Sequence, residues 1–335
     1  MSVRFEPQSK HRNTEFRDRV LLLLAFSCTY LVWGSTYLGI RYAVETIPPL
    51  FVASLRHLIA GGLLFAWCWF RGLRPTREQW YASFALGVLF FLIGHGTLHW
   101  GQQYIPSSLA ALLVAMEPIF VALMLTITRR SSFTPTLLVG LLFGIGGVAL
   151  LVEPNVTIQR SALVSIIVIL IGTASWSLGI LYSRKAALHP NAIMAAAMAL
   201  LAGSVLLSIA GAATGEASQL LAASISTKSL IALAYLTVMG SVIAYSAYFW
   251  LLQRCSPTLV ATHTYVNPLV ALILGWAIAG ETLTFRLLFA AAAIVSAIVL
   301  VSRSNNQEIQ TETKGQSLRS SAIPAHESRV AEGPS

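Results

Sequence analysis

The chain has 335 residues, 56% of them hydrophobic and only 10% charged, with a mean hydropathy of +0.71. Soluble domains carry roughly 25% charged residues, so this composition excludes a water-soluble globular fold and makes the bilayer the main solvent. The net charge of +9 does not point to nucleic acid, because the positive residues lie between hydrophobic segments, where they orient helices in a membrane.

Residues 1–19 are polar and read as a disordered cytoplasmic tail without a cleavable signal peptide, since the apolar stretch that follows is long enough to span. A hydrocarbon core of about 30 Å needs about 20 apolar residues per helix. Ten segments qualify: 20–39, 49–70, 80–100, 106–128, 135–152, 161–183, 191–211, 229–252, 257–279 and 285–302. Hydropathy alone separates the third from the fourth, and the eighth from the ninth, only weakly. Pro106 and Pro257 support both divisions, because proline suits a first helical turn and breaks an interior. Residues 303–335 are rich in Ser, Glu and Gln, contain no aromatic residue, and read as a disordered cytoplasmic tail. With the N-terminus inside, 17 of the 22 Lys and Arg residues fall on the cytoplasmic side and four outside, leaving Arg56 within a helix. The expectation is an all-α polytopic membrane protein of ten helices in a bacterial inner membrane, with both termini cytoplasmic. Cys28, Cys68 and Cys255 show no paired spacing and read as free thiols.

The chain repeats itself. Leu109-Ala110-Ala111 through Glu117-Pro118 matches Leu259-Val260-Ala261 through Asn267-Pro268 at an offset of 150, with Trp100 on Trp250 and Gln103 on Gln253. Trp33 and Arg41 match Trp176 and Arg184 at an offset of 143, and Ala60-Gly61 matches Ala202-Gly203 at 142. Five helices is an odd number, so halves at 20–152 and 161–302 cross the membrane in opposite senses. An inverted repeat is typical of transporters, whose substrate site lies near the midplane between the halves.

Trp33-Gly34-Ser35-Thr36-Tyr37 with Arg41, Pro48-Pro49 with Arg56, Ala60-Gly61, Pro257 with Ala261, Val266-Asn267-Pro268 and Gly280-Glu281-Thr282-Leu283 together resemble the drug/metabolite transporter superfamily, specifically the bacterial EamA-domain exporters. The resemblance covers nearly everything from 20 to 302. It implies ten helices and export of metabolites, amino acids or drugs through a central cavity lined by helices 1, 3, 4, 6, 8 and 9. Two departures stand out: Arg130-Ser131-Ser132-Phe133 replaces the Gly-Glu-x-Leu box in the first half, and Glu117 stands where a neutral residue is expected.

Glu117 is eleven residues past Pro106, hence about 16 Å into a continuous helix. A charge at that depth must be paired, protonated or wet. It reads as a substrate-amine contact, a proton-coupling carboxylate, or a protonated structural carboxyl beside Pro118. Asn267 is its repeat mate. His95 and His99 share a helix face at i, i+4, a spacing that also permits a metal; no acid–histidine motif completes one, so no metal or cofactor is expected. His263 lies four residues from Asn267 and faces with it. Trp33, Tyr37, Trp176, Tyr245, Tyr248 and Tyr265 belong to helices expected at the cavity and suit a planar or cationic substrate, although packing explains any one of them equally well. Trp100 and Trp250 read as interfacial anchors. Arg56 reads as a structural residue snorkelling outward, pairing with Glu45 or fixing helix 2 against its neighbours, with substrate contact the less favoured reading, and Glu281 as a cap of the last helix. Gly140 with Gly144, and Ala293 with Ala297, are small-residue pairs suited to close packing, including between protomers of a homodimer.

The expected partners are therefore a small-molecule substrate and the lipid bilayer, with no nucleic acid. No Walker A motif is present, so ATP is not the direct energy source. The leading expectation is a secondary exporter of small metabolites, not an enzyme. The alternative is a multi-spanning membrane enzyme built on His95, His99 and Glu117, disfavoured by short, nearly acid-free loops. An oligomeric channel or scaffold fits the inverted repeat poorly.

Overall fold

The computed structural model describes residues 8–128, 134–151, 160–255, 257–260 and 262–300. Arg129, Arg130, Ala261 and Glu153, and the expected tail at 303–335, lie outside them. Every regular element among the described residues is helical, and this corrects the expectation of a disordered N-terminal stretch: the helix Gln8–Ser27 begins within it and runs on into the first span.

Seven helices are 21 to 28 residues long and apolar enough to cross a membrane. They are α1 (Arg17–Ala43), α2 (Pro49–Phe70), α3 (Arg77–Gly101), α4 (Ser107–Ile127), α6 (Arg160–Ser183), α7 (Ala192–Ala213) and α8 (Thr227–Arg254). Three of the ten expected segments form shorter apolar helices: α5 (Leu138–Leu150), α9 (His263–Ala279) and α10 (Phe285–Leu300). The ends follow local chemistry. α2 opens on Pro49 in its first turn, a reciprocal Thr76–Gln79 capping box starts α3, and the Asn191 side chain accepts from two amides at the start of α7. α9 ends at Gly280, whose φ of 66° is left-handed backbone that glycine adopts freely.

The polarity of the molecule is reversed relative to a soluble protein. Leu23, Leu63, Phe143, Ile167, Ile209 and Trp276 face outward, whereas Ser54, Arg56, His57, His99, Glu117 and Asn267 are buried. Lipid supplies no hydrogen bonds, so polar groups must meet inside the bundle. The small residues of α7 allow the close helix contacts that replace hydrophobic driving force in a membrane: any side chain at Gly203 would run into the Phe91 side chain of α3. At the rim, the Arg71 guanidinium lies 4.3 Å from the Trp67 ring and that of Arg254 lies 4.4 Å from Trp250, as expected of interfacial anchors.

Two expected helices are discontinuous. α4 consists of Ser107–Val114 and Glu117–Ile127, joined by a turn at Ala115–Met116. Pro118 has no N–H to extend the first segment, so Glu117 opens a second helix instead of lying within a continuous one. Its repeat mate α9 is preceded by the separate helical turn Pro257–Val260. The small-residue pairs are used within the chain: Gly144 packs on Ile119 and Met116 of α4, and Ala297 is buried.

Glu281 does not cap α10. Its carboxylate accepts from the backbone N–H of Ser107 (2.8 Å) and of Ser108 (3.2 Å) and from both serine hydroxyls (2.7 and 2.6 Å), capping α4 across the bundle. The turn at Gly280 carries Glu281 back over the bundle end, where two unpaired N-terminal amides wait. Burial raises the affinity of this carboxylate for a proton, but the four donated hydrogen bonds outweigh it and hold the group below the usual carboxylate range.

Candidate functional site

Side chains from α1, α2, α3, α4, α6, α8 and α9 surround a cavity of about 60 Å³. That volume holds a few waters, whereas drug-sized ligands occupy pockets of roughly 300–1,000 Å³.

Local backbone geometry positions the lining. α1, α3 and α8 each contain a π-helical stretch, at Cys28–Val32, Gly87–His95 and Leu236–Ile243. Such stretches widen the turn and release carbonyls from the helical ladder. The Gly240 carbonyl, within the third of these stretches, accepts from the Trp33 indole N–H at 3.3 Å. Each π stretch ends at or just before a cavity side chain: Trp33, His95 and Tyr245 respectively.

One side of the site is a chain of polar groups. Arg56 Nε donates to Ser241 Oγ (2.9 Å), which meets His57 Nδ1 at 3.4 Å. His57 Nε2 faces His95 Nδ1 at 3.0 Å, and His95 Nε2 faces the Tyr245 hydroxyl at 2.8 Å. Arg56 Nε only donates, but from Ser241 to Tyr245 the protons can point either way, and the two histidine tautomers must then change together. The other side holds Glu117, His263 and Asn267. His263 Nδ1–H donates to the Val260 carbonyl (2.9 Å), leaving Nε2 turned to Glu117 Oε2 at 3.9 Å. Glu117 Oε1 is buried without a hydrogen-bond partner. The Asn267 amide, oriented by its neighbours, donates to the Thr29, Tyr30 and His263 carbonyls, pinning α9 to α1.

Of the residues singled out from the sequence, Trp33, Tyr37, His95, Glu117, Trp176, Tyr245, His263 and Asn267 line the cavity. Trp33 and Trp176 meet edge to face with ring centroids 6.2 Å apart, and His95 stacks on Trp176 at 5.4 Å. Three stand back from it. His99 lies one turn beyond His95 and donates from Nδ1 to the His95 carbonyl at 2.7 Å. Tyr248 packs behind Trp33 at 4.7 Å, and Tyr265 packs against the apolar cluster around Leu112, Met116 and Leu272. No group of three His, Cys, Asp or Glu side chains placed to hold a metal occurs among the described residues.

Arg56 corrects the sequence reading. It neither snorkels outward nor pairs with Glu45: it is 1% exposed and lines the cavity from α2, while Glu45 pairs with Lys228 at 2.8 Å. His57 and Ser241, which link Arg56 to His95, were also not singled out. The signal available was an arginine followed by a histidine inside an apolar run, where a charge is expensive and marks function by default.

The EamA-like transporter family model matches residues 20–153 and again 163–303. The chain is 37% identical over 293 residues to the inner membrane transporter YedA of Escherichia coli K12, covering 85% of this chain and 92% of YedA. It is 26% identical to the transporter YvbV of Bacillus subtilis, covering 87% of this chain and 94% of that one. A crystal structure at 18% identity superposes with a TM-score of 0.60 over 84% of this chain and 97% of its own, a likeness of fold. A polytopic bundle with its polar groups turned inward, matched along nearly its full length by membrane transporters, is a membrane transport protein, and the chain belongs to the EamA-like transporter family.

Proposed function

We propose that the protein is a secondary exporter of small metabolites, amino acids or related amphipathic compounds, in the bacterial inner membrane. Two inverted five-helix repeats, 20–152 and 161–302, alternate access to the cavity between them, and both tails are cytoplasmic. The observation that carries this reading is the meeting of repeat mates at one cavity. His95 and Tyr245, 150 residues apart, share a hydrogen bond; Trp33 touches Trp176; Glu117 and Asn267 both line the space. Discontinuous helices mark the binding site of inverted-repeat transporters; α4 is broken at Ala115–Met116, and its mate α9 is preceded by the separate turn Pro257–Val260.

A set of contacts at one end of the bundle supports alternation. Glu281 holds Ser107 and Ser108, Glu216 accepts from the amides of Leu50 (2.9 Å) and Phe51 (3.3 Å), and Lys228 pairs with Glu45. Each contact joins one proposed repeat to the other where α2, α4 and α8 begin, the outer face by the positive-inside rule. Opening this end breaks all three. The test is purified protein in proteoliposomes, loaded with candidates drawn from a toxicity-rescue screen of overexpressing cells. Gradient-driven flux of a rescued compound is expected; no flux for any metabolite class overturns the proposal.

A further inference from the structure

We propose that Arg56 is an anion-binding residue and that the cargo presents a carboxylate to it; this deepens, and rests on, the reading of the cavity as a transport site. The guanidinium cannot shed its proton in a protein, so a full positive charge sits in the interior of α2. Among the described residues, no carboxylate forms an ion pair with it. The other charged lining residue, Glu117, is turned to His263. Nε is held by Ser241, and Nη1 is buried without a hydrogen-bond partner. A purely structural arginine would spend its donors on carbonyls, as Arg41 does with the carbonyls of Gln102 (3.4 Å) and Ile105 (3.0 Å).

The surroundings fix the fork without filling it. A methyl group at Gly240 would lie 2.7 Å from Nη2, so α8 leaves just enough room for the guanidinium. Ser241 and His57 on its other side can accept or donate but carry no negative charge that could neutralise it. A buried cation is tolerated when a counter-charge completes it, and a planar carboxylate matches the guanidinium fork with two parallel hydrogen bonds. The aromatic faces of Trp33 and Trp176 across the same space suit the apolar body of such an ion.

Binding to the full-length protein in detergent tests this without a transport assay, using matched acids and amides: benzoate against benzamide, butyrate against butyramide. The acid of at least one pair is expected to bind about tenfold or more tightly than its uncharged amide, and Arg56→Gln to erase that ratio. Arg56→Lys keeps the charge without the fork and is expected to fall between. Equal binding of acid and amide by the wild-type chain overturns the inference, and needs no variant that folds. Chloride competing as well as the carboxylate at equal concentration and constant ionic strength also overturns it, by making the site an inorganic anion site. Flux of a cationic or neutral compound with no carboxylate preference sinks this inference and leaves the transporter reading standing; no flux at all sinks the transporter reading.

Discussion

At the scale of single residues, function concentrates in a few polar side chains that lipid makes expensive. Glu117 is buried, half unpartnered and turned to a neutral-capable histidine, an arrangement that can take up and release a proton. If it couples transport to protons, Glu117→Gln keeps the shape and removes the titrating group. Flux in proteoliposomes under an imposed pH gradient is then expected to lose its gradient dependence, and an unchanged dependence excludes the role. Tyr245→Phe deletes the hydroxyl at the end of the Arg56–Ser241–His57–His95 chain. The expected cost is about 1 kcal/mol of stability, that of one buried hydrogen bond, measured by detergent unfolding. The substrate KM should change more than the maximal rate if the chain positions Arg56. Sequence alone drew attention to Glu117, because a lone carboxylate in an apolar run is conspicuous. It left Arg56 open, because a position seven residues into a helix is compatible with snorkelling outward or turning inward, and only the packing of α8 against α2 decides which.

At the scale of elements, the breaks in α4 and α9 and the π stretches in α1, α3 and α8 aim the cavity side chains. Pro118 marks one break, although the sequence reading ran a continuous helix through it; the π stretches left no sequence mark. Glu281 is the most telling contact between elements. With its folded-state proton affinity depressed, its contribution to stability is present above the unfolded carboxylate value and is lost as pH falls through the lower folded value. Wild-type thermal stability in detergent should therefore drop on acidification below about pH 4. Glu281→Ala should lower stability at neutral pH by about 2 kcal/mol, the scale of hydrogen bonds to a charged group, and flatten that acid-side slope. An unchanged slope would show that the contact is not a latch.

At the scale of the molecule, three contacts at one end tie residues from the first half of the chain to residues from the second: Glu281 to Ser107 and Ser108, Glu216 to Leu50 and Phe51, and Lys228 to Glu45. Cysteines introduced for Glu45 and Lys228, in a background freed of Cys28, Cys68 and Cys255, are expected to cross-link and to block flux, with activity returning on reduction. Flux that survives complete cross-linking would mean that this end does not open. Topology tags at either terminus are expected to report the cytoplasm; a periplasmic signal from either would reverse the assignment of the latched end as outer.

The amino-acid sequence by itself determined the solvent, the positions of the apolar segments and the internal duplication, because spanning length, excluded charge and repeated motifs are properties of the linear chain. It also marked eight of the cavity residues, since polar and aromatic groups in apolar runs have few places to go. Tertiary structure decided the rest. Which face of α2 carries Arg56, that His95 meets its own repeat mate, and that Glu281 caps a distant helix all depend on side chains more than a hundred residues apart coming within hydrogen-bonding reach. In a bundle where nearly every helix is apolar all round, hydrophobic periodicity carries no facing signal, and only packing chooses what turns inward.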